Sequence, residues 1–153
     1  MAPFIALSSL FLLLVGLGAA GVHALAGWFT PLRFALAGMF LLTASAHWGK
    51  RRADLVQMVP PWFPRPDIIV TVTGVLELLG AAGLLVRALA PLAAGGLSLL
   101  LLAMFPANVH AARAGLTLGG RPVTALGPRT LLQLVFLAAT LAVVVGGLAG
   151  GLR

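Results

Sequence analysis

Cysteine is absent from the 153 residues, which excludes disulfides, thiol relays and thiolate metal sites. Acids are nearly absent too: Asp54, Asp67 and Glu77 are the full set, against ten Lys and Arg. Charged residues make up 8% of the chain, where soluble domains run near one quarter. No fixed-period repeat is visible, so an inverted-repeat transporter is not suggested. Basic residues are not interleaved with aromatics on a soluble surface, so nucleic acid is not an expected partner. Ser8, Ser9 and Ser98 have no neighbouring base at a sensible depth, and no catalytic residues are assigned. No metal set is convincing either. The chain is not expected to be an enzyme by itself.

What remains is apolar. The chain is 61% hydrophobic with a mean hydropathy of +1.11. Five segments read as spans: Phe4–Ala26, Phe34–Gly49, Ile68–Val86, Leu92–Ala112 and Thr130–Leu152. About 20 helical residues cross a hydrocarbon core, so the second segment is short and its ends reach the interface. Small residues at Ala19–Gly21 offer a signal-peptide reading of the first segment. Its missing basic leader and long apolar stretch favour retention as a span. The expected fold is an all-α, polytopic membrane helix bundle. Residues 1–31 form an extra N-terminal transmembrane helix and its connection, and residues 32–153 a four-helix membrane domain.

Charge placement predicts topology. Lys50, Arg51, Arg52, Arg65, Arg113, Arg121 and Arg129 fall in the two longer loops, and Arg33, Arg87 and Arg153 on the other side. The basic loops are expected in the cytoplasm, with the N-terminus inside and the C-terminus outside, and to attract anionic lipid headgroups. Residues 53–59 suit a brief interfacial helix ended by Pro60 and Pro61. Trp28, Trp48 and Trp62 fall at predicted boundaries, as an aromatic belt should. Asp54 and Asp67 read as local ion pairs or helix-start residues.

Glu77 is the informative exception. It has no other charge within nine residues and sits mid-span, where a carboxyl is costly unless protonated, paired or hydrated. Thr73, Gly74, Gly80 and Ala81 share its helical face, and small residues let a neighbouring backbone approach. That face is expected inside the bundle. His47, Thr71, Thr73, Asn108, His110 and Gln133 fall toward the same leaflet from four segments. Convergence on a polar pocket is expected, with Glu77 at its floor about 10 Å deeper than His47 by helix rise. Pro106 should free or strain the Leu102 carbonyl and re-aim Asn108 and His110. The plainer readings stay open: a structural hydrogen bond for Glu77, interfacial bonding for the histidines, and an ordinary transmembrane proline at 106.

Three stretches carry a family resemblance: residues 46–66, 73–87 and 103–115. They hold His47–Trp48, then Met58 through Pro64 with Pro60, Pro61 and Trp62, then Gly74, Glu77 and Gly80, then Phe105 through Asn108. Together they resemble the DoxX-like family of small bacterial membrane proteins, over residues 32–150 and four helices. Trp48 stands where that family more often has Phe. The resemblance implies a bacterial inner-membrane location. Named members include a small subunit associated with thiosulfate:quinone oxidoreduction and one linked to thiol-stress defence. A quinone is therefore a candidate ligand and a membrane subunit a candidate partner. Three functions compete: a quinone- or lipid-binding accessory subunit, an assembly factor or chaperone, and a proton-coupled transporter.

Overall fold

The computed structural model describes residues 1–151, with side-chain surroundings through residue 149; Leu152 and the expected topogenic Arg153 lie outside the described residues. Six α-helices carry the architecture: α1 (Ala2–Ala19), α2 (Phe29–Ser45), α3 (Arg52–Met58), α4 (Pro66–Leu85), α5 (Ala90–Arg113) and α6 (Leu126–Gly151). Four of them, α1, α4, α5 and α6, are long and apolar enough to cross a membrane. At 17 residues α2 is shorter. Helices α2, α4, α5 and α6 pack in a ring in that order, and α1 lies along α2.

Helix ends follow local chemistry. The first apolar segment runs to Ala26 in sequence, yet α1 stops at Ala19. Gly21 takes φ +105, which an L side chain resists. The Val22 amide donates to Leu17 (3.0 Å) and the Gly21 amide to Gly18 (3.2 Å), the paired bonds of a Schellman stop. A 3-10 turn at His23–Leu25 follows, and α2 begins at Phe29, five residues before the expected start. The expected interfacial helix forms as α3. It ends at Val59, which is extended before Pro60 (ψ 126), as a residue preceding proline prefers.

The second long loop, expected to be irregular, closes a small hairpin. Strands β1 (Thr117–Leu118) and β2 (Arg121–Pro122) pair antiparallel. Gly119 and Gly120 both take positive φ (+61 and +75), the two-residue turn that matches strand twist. Asp54 fixes the hairpin to α3, its Oδ2 accepting from the Gly119 amide at 2.7 Å. Neither Asp54 nor Asp67 makes an ion pair among the described residues; both are first-turn residues of their helices. The ion-pair alternative is thereby corrected.

Val70, Gly74, Glu77, Ala81 and Leu84 form the buried stripe of α4, spaced by alternating threes and fours as a packed helix face requires. Leu36, Met39 and Phe40 of α2 and Leu97 of α5 join them in the core. Outward-facing positions are apolar instead: Leu92 is 77% exposed and Leu99 69%. An all-α bundle with an apolar exterior is the arrangement a bilayer solvates.

Candidate functional site

Glu77 is 3% exposed and turned toward α2. Its Oε2 lies 3.8 Å from His47 Nδ1, and Oε2 is a buried oxygen with no hydrogen-bond partner. The Thr43 hydroxyl donates to the Phe40 carbonyl of its own helix at 3.0 Å. His47 Nδ1 is 3.2 Å from the Thr43 carbonyl. A carbonyl only accepts, so Nδ1 carries a proton and Nε2 is the nitrogen left to gain or lose one. Carboxyl and imidazole thus meet across the α2–α4 seam.

The expected depth of His47 is corrected here. It does not stand 10 Å above Glu77 but beside it. Because α2 starts early and spans only 17 residues, its last turn ends well inside the bundle. Gly74 completes the approach: a Cβ there would lie 2.7 Å from both Cβ and Cγ of His47. The space above is closed by α3 and its loop, clasped by Arg52. That guanidinium donates to the His47 carbonyl (2.9 Å), the Asp67 carbonyl (3.1 Å) and Thr71 Oγ1 (2.9 Å).

The single polar pocket from four helices is also corrected. The other candidates form separate local pairs. Thr73 donates back to its own helix, at Ile69 and Val70. Gln133 donates to the Leu101 carbonyl at 2.7 Å, one residue before the Leu102 carbonyl whose helical donor Pro106 lacks; it ties α6 to α5 instead of facing Glu77. Asn108 Oδ1 accepts from Arg129, which lies inside α6 rather than in the loop and holds a buried, unpartnered Nε. His110 meets Trp62 edge-on, centroids 6.5 Å apart. Gly80, expected on the Glu77 face, opens toward Leu97 of α5. Pro60 is buried, whereas Pro61 and Trp62 are exposed. Among the described residues no three His, Asp or Glu cluster as metal ligands.

Three polar ties went unforeseen. Thr43 is one, and only its spacing of four before His47 signals it. Ser98 and Thr140 join α5 to α6 at 2.7 Å. Arg33, counted with the charges on the side opposite the basic loops, is 3% exposed. It donates from Nε to the Leu84 carbonyl and from a terminal nitrogen to Leu85, both at 2.9 Å, and stacks on Phe29 and Phe34. It caps the C-terminus of α4.

A family model described as a domain of unknown function (DUF8561) matches residues 36–144. The match spans the seam and every candidate residue above, and leaves α1 and the first turns of α2 outside. Neither the curated proteins nor the solved structures contain a match.

Proposed function

This chain belongs to the DUF8561 family, whose function is unknown, and we propose from its geometry that it is a multi-pass membrane protein binding the polar head of an amphiphile at Glu77 and His47. The unpartnered Glu77 Oε2 carries this reading. A buried carboxyl oxygen without a bond is costly, and a ligand hydroxyl donating to it, or a ligand carbonyl accepting from the protonated acid, would supply the missing contact. A quinone or quinol head has the right chemistry: one oxygen that accepts or donates, on an apolar body that partitions into lipid. The motif residues His47, Trp48, Glu77 and Asn108 support a DoxX-like relationship within the matched stretch. On that reading the chain is an accessory subunit of a membrane redox or stress-response system in a bacterial inner membrane, with its basic loops in the cytoplasm. Redox chemistry would belong to a partner subunit.

The test is the organic extract of protein purified in mild detergent, analysed by mass spectrometry. Wild type should yield one recurrent quinone or lipid-like species near stoichiometric amount, and Glu77→Leu at least about tenfold less, the factor of one good hydrogen bond. Identical extracts from both proteins would end this reading.

A second reading has its own support. Arg33, Arg52, Gln133 and the Ser98–Thr140 pair all spend their polar groups on joining helices. A bundle stabilised in this way suits an assembly factor with no small-molecule chemistry. Under that reading Glu77→Gln keeps full function, and a specific membrane protein co-purifies with wild type and variant alike.

A further inference from the structure

The other end of the bundle carries positive charge with no acidic side chain among the described residues beside it. Arg87 sits exposed in the α4–α5 turn, and the buried Arg33 caps the end of α4 just before it. The three acidic side chains are elsewhere: Asp54 and Asp67 at the opposite end, Glu77 midway along α4. Beside Arg87 opens a cavity of about 640 Å³ whose walls include Trp28, Phe29, Pro91, Gly146 and Gly147. The same turn borders a second, wholly apolar groove of about 310 Å³ between α4 and α5, lined by Leu79, Leu89, Leu92 and Leu97. Arg87 and Ala88 face the cavity, and Leu89 faces the groove.

We propose that this end is a binding site for one anionic phospholipid, its phosphate on Arg87 beside Trp28 and an acyl chain in the α4–α5 groove. Charge complementarity selects the headgroup: a guanidinium at the membrane interface, with no acidic side chain among the described residues beside it, is matched by a lipid phosphate. The aromatic and glycine walls suit the glycerol region, where tryptophan partitions. A free phosphate ion gains little here, because most of the lining is apolar and would cost it hydration. The site is independent of Glu77 and lies away from the basic loops, so it stands or falls separately from the reading at Glu77 and His47.

The full chain in mixed micelles of equal phosphatidylglycerol and phosphatidylcholine, read by native mass spectrometry, decides the matter. Wild type should retain phosphatidylglycerol in preference by about fivefold, the factor of one basic side chain at an anionic surface. Arg87→Gln should lose most of that preference, keeping only what the basic loops attract, and Arg87→Lys, which keeps the charge, should hold it. Arg121→Gln, at the opposite end, should leave it unchanged. The proposal is overturned if wild type shows no preference, if Arg87→Gln keeps it, if Arg87→Lys loses it, or if Arg121→Gln abolishes it equally. Displacement of the lipid by excess inorganic phosphate would reassign the site to a free anion and likewise overturn it.

Discussion

The backbone of Gly74 lies so close to His47 that an added Cβ would stand 2.7 Å from two of its side-chain carbons and 2.9 Å from Trp48 Cη2. The exposed Trp48 ring can shift, but His47 cannot give way easily, because it is buried and its main chain is held by Arg52. Gly74→Ala should therefore cost about 1–3 kcal/mol, the usual penalty of overpacking, and push the imidazole away from Glu77. Gly95 is the control: a Cβ there meets nothing within 4 Å. Gly95→Ala should be neutral or up to about 1 kcal/mol stabilising through helix propensity. Unfolding titrations in mixed micelles measure both. Equal stabilities for the two variants would mean the α2–α4 seam is looser than described.

Arg33 gives a second prediction. It joins α2 to two terminal carbonyls of α4 that have no further turn of helix to accept from. Arg33→Met retains most of the buried volume and removes both bonds. The expected loss is about 1–3 kcal/mol, since hydrogen bonds in membrane bundles are worth less than their isolated strength. Arg33→Lys should lose roughly half as much, because an ammonium lacks the planar fork that reaches two carbonyls at once. The same unfolding assay reads this, and a lysine variant weaker than the methionine variant would contradict the capping role.

The sequence carried some of this arrangement openly. A single acid flanked by Gly74 and Ala81 at helical spacing had to face inward, because hydrocarbon offers a carboxyl nothing. The brief helix before Pro60 and Pro61 was equally legible. His47 was placed too shallow because its depth depends on where α2 begins, and that is set by the turn at Gly21 some twenty-five residues earlier. Arg33 looked like any snorkelling base, since its partners are fifty residues away in sequence. Asn108 and Gln133 shared a leaflet with Glu77 in sequence, but depth along a helix does not fix azimuth. Both face α6 or α5 partners, and only the packed bundle settles that.

Pro106 and Gln133 should behave as a unit. The proline removes an amide from α5, and the Gln133 amide supplies a donor to the neighbouring Leu101 carbonyl across the α5–α6 interface. In wild type, Gln133→Leu should cost about 1 kcal/mol. In a Pro106→Ala background the regained helix bond relaxes that strand of carbonyls, so the same change should cost less. A double-mutant cycle should show a coupling of at least about 0.5 kcal/mol. Strict additivity would mean that Gln133 bonds Leu101 for reasons unconnected with the proline.

The cover over the Glu77 seam makes the last prediction. The Asp54 carboxylate holds the Gly119 amide, and the Arg52 guanidinium ties α3 to α4. Both contacts lie at the membrane surface, where water competes, so global stability should change by under about 1 kcal/mol in either variant. Local opening should change far more, because few other contacts hold the hairpin down. Asp54→Ala should speed hydrogen exchange at Gly119 and open the Gly119–Gly120 turn to a protease of broad specificity, leaving α4 and α5 protected. Arg52→Ala should instead loosen α3 and the first turn of α4, and with them the approach to His47. If the amphiphile enters from this end, its exchange rate should rise in Arg52→Ala and stay at the wild-type value in Asp54→Ala. Identical exchange in all three proteins would direct entry to the lipid-facing side of the α2–α4 seam, where Trp48 is half exposed.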